Sequence, residues 1–266
     1  MLSIPWTATS AVARAYRREV TRRPGYLGLL ATALALLLVA RTFDLFGFGQ
    51  ERNLVTQQML ETIALTLSIV VLLFGAGAIG RDLENRSALL FLAKPLGRGA
   101  FLLGRFLGLA QCCLIAAAPL LVASIVVLGH GESSKPVSAA EARTLAEGVL
   151  VALGQAAALA AFVLLLSTAL PSPVVLAVAI GGAALGLIVE PLRASLDPGA
   201  SVFLHGAVRV LGLVVPPLHE PAAATTVAFD GGLSAPALLV RLARSLVYAV
   251  AALAAATFAL GRKDLT

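Results

Sequence analysis

Forty-two consecutive residues, Gly148 through Val189, contain no aspartate, glutamate, lysine or arginine. A bilayer's hydrocarbon core is about 30 Å thick and takes roughly 20 apolar residues of helix at about 1.5 Å each. The run is therefore long enough for two crossings. Pro171-Ser-Pro173 falls near its middle, where prolines break a helix and favour a turn, so the run reads as a tight helical hairpin. Four other stretches lack the same charges: Gly25–Ala40, Thr62–Gly80, Phe106–Gly129 and Ser245–Gly261. The chain is 59% hydrophobic and 13% charged, with a mean hydropathy of +0.94. Soluble domains average about 45–50% apolar and about 25% charged residues. Membrane strands would be about 10 residues long with alternating polarity, a pattern this chain lacks. The expected fold is an all-α membrane protein with six transmembrane helices, over 25–46, 60–80, 103–129, 146–170, 173–190 and 236–260.

Charge sets the expected orientation. With six spans both termini share a side. That side collects Arg14, Arg17, Arg18, Arg22, Arg23, the basic residues of 81–105, Arg262 and Lys263, twelve in all against four acids. Its net charge is +8 and that of the other side −2. The positive-inside rule then places the termini and the 81–105 loop in the cytoplasm. The net charge of +6 is in this view a topology signal. No basic face on a soluble domain points to nucleic acid. The arginines before Gly25 resemble a signal-peptide n-region, but no small-x-small exit precedes Arg41, so 25–46 reads as the first span.

Two further segments are amphipathic. Over 8–23, Arg14, Arg17, Arg18 and Arg22 share one face and Val12, Tyr16 and Val20 another, and Pro24-Gly25 ends the helix. The expectation is a helix in the cytoplasmic interface, apolar side toward the membrane and arginines toward headgroups. Within 191–235, "ASVFLHGAVRVLGLVVPP" places Ser201, His205 and Arg209 on one face. It reads as a short re-entrant or amphipathic helix on the outer side, since a seventh span would put Arg262 and Lys263 outside.

Chemistry motifs fail on their context. Gly75-Ala-Gly77-Ala-Ile-Gly80 spells a dinucleotide fingerprint, but the apolar run before it is too long for a strand, and no acid lies about 20 residues on. Glycines that let membrane helices approach closely explain it better. Gly99 to Arg105 mimics a phosphate loop without its Lys-Ser/Thr ending. His219-Glu220 does not extend to H-E-x-x-H, and no G-x-S-x-G occurs. Cys112 and Cys113 read as small apolar core residues. The expectation is no catalytic, cofactor or metal site in this chain. The spans carry almost nothing ionisable at depth, which argues against ion-coupled carriers, pumps and membrane hydrolases.

The informative loop is Arg81–Gly99. Asp82 and Arg86 are spaced for an i,i+4 pair, with Glu84, Asn85 and Ser87 as polar neighbours. An apolar "ALLFLA" turn follows, and Lys94-Pro95 stops it. The whole stretch "RDLENRSALLFLAKPLGRGAFLLGRFLG" resembles the loop between the second and third spans of ABC-2 type permeases. Glu84, Ser87, Pro95, Arg98 and Gly104 match the family pattern. Arg86 stands for a small residue and Arg105 for the usual lysine. The resemblance extends along nearly the whole chain, including the basic N-terminal helix, the outer region ending "VVPPLHEPAAATTVAFDG" and the finish "FALGRKDLT".

The resemblance implies a single ABC-2 type transmembrane domain over 1–266, with an interfacial helix at 8–23, a cytoplasmic coupling region at 81–99 and an outer re-entrant region at 191–235. It implies a permease subunit, with export the expected direction, in a bacterial inner membrane. Such a permease pairs with a second permease copy or paralogue, and each docks a separate ATPase chain that holds ATP and Mg. Arg81, Asp82, Glu84, Asn85, Arg86, Ser87, Lys94, Pro95 and Arg98 would form the ATPase-coupling interface. Family substrates range over lipids, polysaccharides, drugs and peptides, and no residue here selects one. The alternative is a non-transporting anchor or scaffold that recruits a cytoplasmic partner through the same loop.

Overall fold

The computed structural model describes residues 6–40, 51–78, 98–129, 137–195, 202–216 and 233–262. Among them the chain is all-helical, without strands. The helices are α1 (Trp6–Thr21), α2 (Pro24–Ala40), α3 (Glu51–Gly75), α4 (Arg98–Gly129), α5 (Ala139–Ser167), α6 (Ser172–Ser195), α7 (Val202–Val214) and α8 (Ala235–Arg262). Four are long and apolar enough to cross a membrane: α3, α4, α5 and α8. The bent pair of α1 and α2 makes a fifth candidate, and α6 holds a shorter apolar segment, Ser172–Gly186. Helices suit this composition, since each backbone polar group is then paired within its own segment.

Local sequence sets the helix ends. Pro24 opens α2, where a missing N–H costs nothing and the fixed φ suits the first turn. The Arg23 amide donates to the Val20 carbonyl at 3.1 Å, and α1 and α2 meet at 66°. Ser138 caps α5: its Oγ accepts from the Glu141 amide at 3.2 Å, and the Glu141 carboxylate accepts from the Ser138 amide at 2.8 Å. This reciprocal Ser-x-x-Glu box satisfies two otherwise orphaned donors. The expected hairpin forms around Pro171, whose carbonyl accepts from the Val174 and Val175 amides, both at 3.0 Å.

The core lies around α3, α4 and α5, where Met59, Ile63, Leu67, Leu109, Leu159 and Leu164 are fully buried. Several hydroxyls on these helices are satisfied locally. Thr62 and Thr66 donate to the carbonyls four residues back, at 2.8 and 2.7 Å, and Ser124 does the same at 2.9 Å. Such back-bonding lets a hydroxyl sit in an apolar bundle without a distant partner. Leu65, Val122, Leu239 and Val247 are exposed on outward faces. That is stable only where the surroundings are as apolar as the side chains, as in lipid.

Close contacts fix the helix directions. A Cβ on Gly148 would meet Leu60, and one on Gly75 would meet Val163, so α3 and α5 run parallel. The Leu233 amide meets Glu147, and a Cβ on Gly154 would meet Ser245, so α8 also runs parallel to α5. Gly99 approaches Thr257, so α4 runs against α8. The Tyr26 and Phe74 rings meet edge-on at 6.1 Å, so α2 starts where α3 ends. Gly182 faces Phe162 across the hairpin. The directions of α2, α3, α4, α5, α6 and α8 therefore alternate. Since α6 and α8 are antiparallel, α6 ends and α8 begins at the same end of the bundle, and α7 lies between them in sequence. Its 13 residues span about 20 Å, less than the roughly 30 Å core.

Candidate coupling site

Of the expected coupling residues, Arg81, Asp82, Glu84, Asn85, Arg86, Ser87, Lys94 and Pro95 lie outside the described residues. Arg98 is the first residue of α4, and its side chain also lies outside them. What the structure gives is the pair of stems that hold this segment. One stem is the end of α3 and its turn, through Ala78; the other is the start of α4. The end at which they meet is called the loop end below, and the opposite one the far end.

The stems are held together and then gripped by α1. At the end of α3, a Cβ on Gly75 would come within 3.1 Å of Val163 and 3.2 Å of Leu109, so α3, α4 and α5 pack closely there and an added methyl would require those side chains to give by a few tenths of an ångström. The residues before Gly75 are helical back to Glu51, not the strand a dinucleotide turn needs. Across the gap, α1 lies on α4 at Gly104 and Gly108. A Cβ on Gly104 would sit 2.7 Å from the Val12 Cβ, and one on Gly108 would sit 2.9 Å from the Ala13 carbonyl oxygen. Two glycines four apart face one way on a helix and let another helix approach at backbone distance.

Tyr16 joins all three elements. Its hydroxyl donates to the Phe74 carbonyl of α3 at 2.8 Å. Its ring takes the Arg105 guanidinium of α4 at 4.6 Å from the centroid, and Phe101 takes the same cation at 5.3 Å. Arg105 is buried, at 6% exposure, with the Glu19 carboxylate of α1 4.0 Å away. Glu19 also pairs with Arg23 one turn on. A desolvated guanidinium over aromatic faces with a carboxylate in reach is a stable placement for a buried charge. Tyr26 completes the junction by donating to the Cys112 carbonyl at 2.8 Å.

The N-terminal helix differs from the expectation in one respect. Arg14 and Arg18 are exposed, Arg17 is half-buried and Arg22 is exposed in the turn after α1. The apolar face is not left for lipid: Val12, Ala13, Tyr16 and Val20 are buried, against the bundle itself. Helical periodicity shows which face is apolar but not what covers it. The GRFLG spacing at Gly104 and Gly108 is the signal that would have indicated the cover. At the far end hydropathy gives no sign of Glu147, buried at 7% exposure, whose carboxylate accepts from the Leu233 amide at 2.9 Å and from Arg143 at 2.7 Å. The thiols of Cys112 and Cys113 are free and buried, as core residues. Of the histidines, His205 is exposed on α7, while His130 and His219 lie outside the described residues.

No family model matches the chain, and no curated protein matches it in sequence. The described residues define an all-helical bundle with four or five helices long and apolar enough to cross a membrane, in which α1 packs against the end of α3 and the first turns of α4.

Proposed function

We propose that this chain is the permease subunit of an ABC-2 type ATP-binding-cassette transporter, acting in export. In this reading the six alternating helices are six spans, α7 is the outer re-entrant element, and both termini and the 81–99 segment are cytoplasmic. The membrane is a bacterial inner membrane. Arg81 to Ser87 seats in an ATPase chain that binds and hydrolyses ATP, and two permeases pair to enclose the path.

The observation that carries the proposal is the junction at the loop end. A segment that transmits force from a docked partner needs stems that move as one body. Tyr16 bonds one stem through its hydroxyl and the other through its ring, and the glycines at 104 and 108 bring α1 to backbone distance of α4. The alternation of helix directions supports the six-span topology, and the charge asymmetry supports the orientation. The core around α3, α4 and α5 is apolar, with the buried charges Arg105 and Glu147 toward its opposite ends, and suits an amphiphilic or bulky substrate driven by energy from elsewhere.

The test is purification of the tagged full-length chain from its native membrane in mild detergent. The proposal expects a stoichiometric ATPase carrying a Walker A sequence, with ATP hydrolysis that the permease stimulates. A chain that purifies intact and stimulates no ATPase refutes it.

A further inference from the structure

We infer that Glu147 is a latch: its carboxylate holds the start of α8 against α5 at the far end of the bundle and releases it when that end opens. The inference rests on the transporter reading, which supplies the opening.

The bond joins residues 86 apart in sequence. Glu147 lies more than two turns inside α5, at 7% exposure, and Leu233 is buried at 6%. A buried carboxylate is costly unless hydrogen-bonded, so its partners define where the chain can sit. The two oxygens are divided between two partners. Oε2 accepts from the Leu233 amide, two residues before α8 begins, and Oε1 accepts from Arg143 Nε on its own helix. The carboxylate also lies near the N-terminus of α8, where the helix dipole favours negative charge.

The surroundings say which side of the bond moves. The next residue, Gly148, has no room toward α3: a Cβ there would sit 2.5 Å from Leu60. At this level α5 is pressed onto α3 and is the fixed side. Helix α8 is the least enclosed of the four long apolar helices, with Leu239, Val240, Leu246 and Val247 facing outward. Tyr248 donates to the Val214 carbonyl at 2.8 Å, tying α8 to the short α7. Further along, α8 stays packed on α5 through buried Ser245, Ala249, Ala252 and Ala256, so release of Leu233 frees the exposed first turn of α8.

Arg143 makes the latch reversible. If Leu233 were the sole partner of Glu147, opening would strand a buried charge, the costliest way to break an ion contact. With Arg143 on the other oxygen, the carboxylate stays paired after Leu233 leaves. The Arg143 side chain is 69% exposed and free to follow it.

The test is amide hydrogen exchange over 233–238 in the full-length chain in lipid nanodiscs. Glu147→Ala raises the exchange of the Leu233 amide at least about tenfold, whereas Glu147→Gln, which keeps a carbonyl acceptor, changes it less than about threefold. Arg143→Ala, at an exposed position that the fold tolerates, leaves Leu233 as the remaining partner and slows exchange. Parental exchange in Glu147→Ala, or faster exchange in Arg143→Ala, overturns the latch. With its ATPase bound, the native chain shows different exchange over 233–238 in the nucleotide-free and ATP-trapped states. A chain that stimulates its ATPase but exchanges identically in both states overturns the latch and leaves the transporter reading intact. A chain that binds no ATPase overturns that reading, and this is detected before any exchange is measured.

Discussion

Gly104→Ala and Gly181→Ala are the same substitution inside two helices, and the structure gives them opposite signs. Alanine gains about 1 kcal/mol of helix propensity over glycine at either site. At Gly181 an added Cβ meets nothing within 4 Å, so that gain stands. At Gly104 the Cβ would lie 2.7 Å from the Val12 Cβ and 3.0 Å from the Thr9 carbonyl oxygen. Carbon atoms rest about 3.5–4.0 Å apart, so α1 must retreat by about 1 Å. Over-packing of this kind costs about 1–3 kcal/mol, and the retreat also strains the Tyr16 contacts. The expected result is a Gly104→Ala protein about 1–3 kcal/mol less stable than Gly181→Ala. Unfolding in mixed micelles measures that difference. Trp6, the single tryptophan, lies 70% exposed on α1 and reports displacement of the helix by its emission and quenching. Equal stability of the two variants, with unchanged Trp6 emission, would refute the seating of α1 on Gly104.

Two smaller predictions use the same assay. Tyr16→Phe removes the hydroxyl from the buried Phe74 carbonyl but keeps the ring under Arg105, and should cost about 1–3 kcal/mol. Ser138→Ala breaks the capping box of α5 at the far end and should cost about 1 kcal/mol while leaving Trp6 emission unchanged.

Much of the bundle was legible because membrane solvation is severe. Charge-free runs have to be helical, so α2, α4, α5, α6 and α8 follow from them, and Pro171 marks the hairpin. The limits of that signal are also physical. Helix α3 begins at Glu51, well before the apolar run at Thr62, because Gln57 donates to Glu61 across one turn at 2.8 Å and keeps a polar stretch helical. Hydropathy registers the lipid-facing length, not the hydrogen-bonded length. The same holds for α5, which starts at Ala139 with a capping box rather than at the first uncharged residue. Gly104 spells the end of a false phosphate loop, while its pairing with Gly108 one turn on carries the structural meaning. Glu147 stands one residue outside the longest charge-free run and so looked like its border. Only the tertiary contact with Leu233, 86 residues away, reveals it as an interior group.

The central claim is that the 81–99 segment couples this chain to an ATPase. The most direct measurement is ATP hydrolysis by the co-purified ATPase, reconstituted with the native chain or with Glu84→Arg and Arg86→Glu. Both positions lie outside the clamped stems, so the variants should fold like the parent, with the same unfolding midpoint and Trp6 emission. The account predicts that stimulation of hydrolysis falls to the level of the ATPase alone while the bundle stays intact. Full stimulation with both charges reversed would contradict it.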